Sequence, residues 1–179
     1  MTHQIIIAGF GGQGIMLMGQ LLAYAGMLEG KNVSWLPSYG PEMRGGTANC
    51  NVIISDEPVA SPLVTEATAV MAMNRPSLEK FEGAVMSGGL LLINSSLIDK
   101  KASRDDIEVC YIPANEIADR LGNSRVANMV VLGSFLAKTG AVSPASIIES
   151  LKKVLGPSKE HFIPLNEEAL KMGAECANE

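Results

Sequence analysis

Two rhythms of apolar positions divide the chain. Gln4-Ile5-Ile6-Ile7-Ala8 is a continuous β-branched run that suits a strand buried on both faces. Gly9 to Gly14 interrupt it, and Ile15 to Glu29 then supply an apolar stretch long enough for four helical turns, stopped by Gly30. Asn32 to Leu36 predicts a short second strand. Thr47 to Ser55 predicts a third, closed by the turn Ser55-Asp56-Glu57-Pro58, and Ala67 to Met73 a buried fourth. Asn74-Arg75-Pro76-Ser77 opens a helix to Phe81; Gly88-Gly89 introduces the strand Leu90 to Ile93, closed by Asn94-Ser95-Ser96, and Glu108 to Pro113 is a further strand. Beyond residue 113 the period becomes helical. Helices are expected from Asn115 to Leu121, from Asn128 to Lys138, from Ser143-Pro144 to Leu155, and from Asn166 to Cys176.

Strands alternating with helices, followed by helices alone, predict an α/β fold: a mainly parallel sheet flanked by helices, a Rossmann-like three-layer arrangement with a helical C-terminal end. The 179 residues contain no repeat, low-complexity run or linker, so residues 1–179 are read as a single domain. Sheets of this kind carry their sites at the carboxyl ends of the strands, and the two glycine-rich loops are expected at the same edge.

Composition narrows the function classes. Charged residues make up only 18%, against roughly 25% in typical soluble domains, so part of the surface is expected to be apolar and covered by a partner. A net charge of −5 argues against binding the phosphate backbone of a nucleic acid. Cys50, Cys110 and Cys176 are dispersed and odd in number, which fits a reduced, cytoplasmic chain and offers neither a disulfide framework nor a cluster motif. His3 and His161 are too isolated to form a metal site. No Asp, Glu, Lys or Arg lies between His3 and Glu29, but four glycines and Gln13 within six residues do not suit a membrane span or a signal peptide.

Two motifs carry candidate chemistry. Gly9-Phe10-Gly11-Gly12-Gln13-Gly14 fits G-x-G-x-x-G between a strand and a helix, where glycines allow close backbone approach and the helix start attracts an anion. A nicotinamide dinucleotide site also needs an acid at the tip of the second strand to hold the ribose. That strand ends Trp35-Leu36-Pro37-Ser38, and the next acid, Glu42, lies inside a Pro/Gly loop. The glycines are equally compatible with simple strand–helix packing. The second motif runs Pro37-Ser38-Tyr39-Gly40-Pro41-Glu42-Met43-Arg44-Gly45-Gly46, in which Glu42 and Arg44 are the only charges. A paired acid and base there suggests a functional loop, and an ordinary turn is the competing reading.

Together with the helix entrance Arg125-Val126-Ala127-Asn128-Met129, the two motifs resemble the gamma subunit of the 2-oxoacid:ferredoxin oxidoreductases, the family acting on pyruvate, 2-oxoglutarate and branched 2-oxoacids. The resemblance implies a subunit of a thiamine diphosphate enzyme that converts a 2-oxoacid, coenzyme A and oxidised ferredoxin into acyl-CoA, carbon dioxide and reduced ferredoxin. Thiamine diphosphate, Mg and [4Fe-4S] clusters are then expected in the alpha, beta and possibly delta partner subunits, since this chain carries neither motif. Its own share would be an interface and contacts to coenzyme A or another anion, with no activity alone. Glu42 and Arg44 would stand at the interface or substrate side. Gly9, Phe10, Gly11, Gly12, Gln13, Gly14, Ser38, Tyr39, Gly40, Gly45 and Gly46 would form the anion or subunit-junction loops. The alternatives are a stand-alone NAD- or FAD-binding dehydrogenase or regulatory module, and a purely structural subunit whose loops only make interfaces.

Overall fold

The computed structural model describes residues 1–38 and 47–179. Six strands form one sheet: β1 (Thr2–Phe10), β2 (Asn32–Ser38), β3 (Thr47–Ser55), β4 (Ala67–Ala72), β5 (Val85–Asn94) and β6 (Glu108–Ile112), in the order β2-β3-β1-β4-β5-β6. Strands β1, β4, β5 and β6 pair in parallel, while β3 runs antiparallel between β1 and β2. The α/β class and the mainly parallel sheet match the sequence expectation.

Side-chain alternation divides the core in two. Ile5, Ile7, Val52, Ile54, Met71 and Leu92 face α1 (Ile15–Leu28), α3 (Ala114–Arg120), α4 (Ala127–Thr139), α5 (Pro144–Leu155) and α6 (Ile163–Ala177). Ile6, Ile53, Val70, Leu91 and Ile93 face the other side. There they are covered by residues of α2 (Arg75–Phe81), such as Leu78, and of loops, including Val64 and Ile98. The second layer is thin, because only one short helix belongs to it.

Besides shifts of one or two residues, as where β1 runs from Thr2 through Gly9 to Phe10, three element bounds differ from the sequence reading for a local reason. β2 continues through Pro37 to Ser38, where the pattern predicts a loop. It is the sheet's outer strand, so the missing N–H of Pro37 removes no bond from a second neighbour. β5 starts five residues early, at Val85. Gly88, with φ +76, bends the strand without ending it, and the register with β4 shifts there. α6 begins at Ile163, with Pro164 in its first turn, after a 3-10 segment from Pro157 to Phe162.

The helical layer is held by backbone contact. A Cβ on Gly133 would overlap the carbonyl oxygen of Leu170, and one on Gly173 would overlap that of Val130, so α4 and α6 cross at their glycines. Ser134 Oγ donates to the Gly173 carbonyl at 2.8 Å within this crossing. α1 lies equally close to the sheet: a Cβ on Gly19 would sit 2.6 Å from Cys50 Sγ and 2.7 Å from Trp35 Nε1.

Candidate functional site

β1 and β4 are parallel neighbours from which the chain departs in opposite directions across the sheet, and their carboxyl ends open a crevice. The glycine loop lies over it. Gly12 and Gly14 have φ of +91 and +75, a left-handed backbone that side chains disfavour. Gly9 belongs to β1, and a Cβ there would stand 2.8 Å from Met73 Cβ, so it sets how closely the two strand ends approach. Gln13 does not project outward as a ligand-binding side chain. Its Oε1 accepts from the Phe10 N–H at 2.6 Å and its Nε2 donates to the Met73 carbonyl at 3.2 Å, which ties the loop to both strands.

The loop delivers the chain into α1 through Gly14, with no side-chain cap and no acid in the first turn. Its leading N–H groups therefore keep their partial positive charge for whatever occupies the crevice. The opposite wall comes from the 3-10 turn Ser124–Val126 and the start of α4, whose first turn also has no acid. Asn123 caps that turn by accepting from the Arg125 N–H at 3.0 Å, and the Arg125 side chain is exposed. Asn128 is only 4% exposed. Its Oδ1 accepts from the Met129 N–H at 2.9 Å, while its Nδ2 occupies the place a Gly14 side chain would take and makes no hydrogen bond among the described residues.

Between the walls lies a cleft of about 180 Å³, lined by Gly12, Gln13, Asn115, Ser124, Arg125 and Asn128 among others. Among the described residues no carboxylate lines it. The start of α4, a guanidinium and an amide N–H₂ thus line one small volume, an arrangement that attracts an anion such as a phosphate. A second cleft, about 260 Å³, lies on the other side of the loop against Phe10, Gly11, Met16, Leu17 and Ala48, with Phe10 39% exposed.

Ser38 ends β2 opposite Asn49, and Phe10 ends β1 opposite Thr47, so both strands finish at one edge of the sheet, as expected. The candidate residues Tyr39, Gly40, Glu42, Arg44, Gly45 and Gly46, with Pro41 and Met43, lie outside the described residues. Sequence reading gave no role to Arg125, Asn128 or Ser124. The available signal was a lone cation two residues before an apolar helix with no acid in its opening turn.

The three cysteines stand apart from the cleft's lining. Burial pushes the Cys50 thiol up to about 12, and burial also raises Cys110 and Cys176. Among the described residues no three His, Cys, Asp or Glu side chains gather to hold a metal ion. No helix is long and apolar enough to cross a membrane.

The strand order also weighs against a dinucleotide site. In that arrangement the second parallel strand neighbours the first and presents its acid to the ribose. Here β3 intervenes, which moves the tip of β2 about 9–10 Å from β1 at the usual strand spacing, and that tip carries Ser38.

Comparison with known proteins decides between these readings. The family model described as pyruvate ferredoxin/flavodoxin oxidoreductase matches residues 4–176. The chain belongs to this family. Among its relatives is the ketoisovalerate oxidoreductase subunit VorA of Methanothermobacter thermautotrophicus, 42% identical over 178 residues, which cover 98% of this chain and 36% of VorA. The 2-oxoglutarate synthase subunit KorC of Methanothermobacter marburgensis is 35% identical over 167 residues, covering 89% of this chain and 90% of KorC. The chain thus spans about a third of the length of VorA but nearly all of KorC. Among solved structures, the gamma subunit of a keto/oxoacid ferredoxin oxidoreductase from Geobacter sulfurreducens is 32% identical, with a TM-score of 0.83 and 98% of each chain covered.

Proposed function

We propose that this chain works as the gamma-type subunit of a 2-oxoacid:ferredoxin oxidoreductase and that its glycine-loop cleft holds phosphate groups of coenzyme A. The observation that carries the reading is a cleft beside the glycine loop that the α4 start, Arg125 and Asn128 line, with no carboxylate among the described lining residues. Family membership supplies the reaction class: the 2-oxoacid loses carbon dioxide and its acyl group passes to the coenzyme A thiol, with the electrons going to ferredoxin. Thiamine diphosphate supplies the carbanion chemistry when bound, and it and the clusters belong to alpha, beta or delta partner chains.

This chain's residues position and exclude. Backbone N–H groups of the glycine loop at Gly12 and Gln13 meet a diphosphate without ordering any side chain. Arg125 adds charge from the facing wall, and Asn128 Nδ2 adds a donor that burial keeps in place. Gln13 holds the loop in shape for them. Ser38 and Thr47, the described residues on either side of positions 39–46, end at the same edge as this cleft. We assign Glu42 and Arg44 to the junction with the thiamine-bearing subunit. Loss of one member of a desolvated charge pair there costs about 2–5 kcal/mol, whereas loss from a solvated pair costs about 0–1 kcal/mol.

The test is to purify the chain with its untagged partners and measure dye reduction dependent on both a 2-oxoacid and coenzyme A. The reading expects stable partners, turnover that requires both substrates, and an Arg44→Ala variant that folds normally but assembles or turns over poorly. A chain that copurifies with no partner, and that binds NADH or FAD tightly instead, would overturn it.

A further inference from the structure

α1 differs from the other surface helices in what it shows to solvent. Its inner side packs on the sheet through Met18, Gly19, Leu22 and Gly26. Its outer positions are Met16, Leu17, Gln20, Tyr24, Met27 and Leu28, which recur every three or four residues and so form one stripe. At 1.5 Å per residue, the 14 residues of α1 make that stripe about 20 Å long. No charged residue belongs to α1. By contrast α5 exposes Glu149, Lys152 and Lys153, and α6 exposes Glu167, Glu168 and Lys171, as helices that end at solvent ordinarily do.

Exposure along the stripe is large: Met27 59%, Leu28 45% and Tyr24 40%. The charges that flank it serve other contacts. Glu29 Oε1 accepts from the Ser143 N–H at 2.7 Å, and Lys31 pairs with Asp56 at 2.8 Å. At its other end the stripe continues into the cleft of Phe10, Gly11, Met16, Leu17 and Ala48 beside the glycine loop. Among the described residues, an apolar surface thus runs without a charge from the carboxyl end of β1 to the last turn of α1. A helix that is apolar on every side is characteristically buried on every side.

We infer that the outer face of α1 seats a partner subunit through an apolar, charge-free contact, and that this partner corresponds to the part of VorA beyond the stretch this chain matches. The inference rests on the reading of the chain as a subunit. The matched stretch is 36% of VorA, so in that relative a longer remainder is joined to this fold in one polypeptide. A joined remainder accompanies every copy of the fold, which is the permanent cover that a charge-free face requires. Where the remainder is a separate chain, association supplies the same cover. The residue types suit that task, because contact cores are depleted in charge and enriched in Tyr and Met. Met16 and Met27 adapt to the partner's shape, while the Gln20 amide and the Tyr24 hydroxyl give the contact direction. A lipid surface would call for lysines or arginines beside the apolar face, whereas Lys31 is held by Asp56.

The experiment uses the oxidoreductase purified with its untagged partners, with the photo-crosslinker benzoylphenylalanine placed at Met27 or, as a control, at Leu63. Leu63 is 61% exposed and lies with Ile53 on the other face of the sheet. Mass spectrometry should map the Met27 crosslink to a partner chain, within the region that aligns with VorA beyond its matched stretch, and the Leu63 crosslink elsewhere. Tyr24→Glu and Met27→Glu should each weaken association on the order of a hundredfold, since the contact would bury an unpaired carboxylate. The isolated variants should melt as wild type does, because both positions are exposed in the single chain. Leu63→Glu should assemble normally. Met27 crosslinks to a second copy of this chain, or to no chain in an intact assembly, overturn the inference. Charge variants that assemble with wild-type affinity overturn it too, and either result leaves the subunit and coenzyme A readings standing. A wild-type chain that copurifies with no partner overturns the subunit reading and this inference with it.

Discussion

Gly14 meets two separate demands, and substitution can measure each. Its φ of +75 is costly for any side chain, and the Asn128 amide fills the space a Cβ would need. Gly30 has nearly the same φ, +74, with nothing within 4 Å of its Cβ position, so Gly30→Ala isolates the backbone cost at about 1–2 kcal/mol. Gly14→Ala should cost a further 1–3 kcal/mol or so, because the amide must move. Adding Asn128→Ala should recover most of that extra cost, as chemical denaturation of the four variants would establish; additive costs would mean that the two groups do not touch. Cys50 makes a different prediction. Its thiol is pushed up to about 12 by burial beneath α1, while an unfolded thiol ionises near 9. A raised folded value means the proton is bound more tightly in the folded chain, so its contribution is complete below pH 9 and falls as pH rises toward 12. Thermal melts between pH 8 and 11 should therefore fall more steeply for wild type than for Cys50→Ala. Parallel curves would remove this contribution.

At the scale of elements, the α4–α6 crossing is the most exacting contact in the helical layer. A methyl group at Gly133 or Gly173 meets a carbonyl oxygen of the facing helix, which cannot turn aside as a side chain can. Gly133→Ala and Gly173→Ala should each cost about 3 kcal/mol or more, a fall in melting temperature on the order of 10 °C. Gly83→Ala is the control, since no atom lies within 4 Å of its Cβ position. Equal melting temperatures for all three variants would mean that the helices do not cross as described. This contact was not legible in the sequence, where Gly133 and Gly173 read as weak points within apolar helices. Periodicity placed the elements well because buried β-branched runs and helical spacing are local signals: Thr47–Ser55 was read to the residue, and α1, α2 and α4 within one or two. It failed where a neighbour overrides local preference. Pro37 sits in a strand because β2 is an outer strand, and Gly88 bends β5 while β4 keeps pairing with it on either side. The glycine motif was likewise readable, but the wall facing it was not. Arg125 and Asn128 lie more than a hundred residues away and reach Gly12 and Gly14 only through the sheet order.

For the whole molecule, the sheet order positions the cleft. Inserting β3 antiparallel between β1 and β2 withdraws the second parallel strand from the glycine loop, and with it the usual ribose contact of a dinucleotide fold. The crevice between β1 and β4 remains, and the starts of α1 and α4 face each other across it. In a chain with a net charge of −5, no carboxylate lines this cleft among the described residues. Tyr24, Met27 and Leu28 expose apolar surface along α1, and Phe10 does so beside the loop. That exposure fits a chain whose apolar surface is covered by a partner. The most direct measurement is the KM for coenzyme A of the assembled enzyme carrying Arg125→Ala, taken alongside kcat and an assembly check. A guanidinium that holds substrate phosphate predicts a KM raised about tenfold, with kcat within about twofold of wild type and the subunits still associated. An unchanged KM in an intact assembly would contradict the account, because the cleft would then hold no part of coenzyme A.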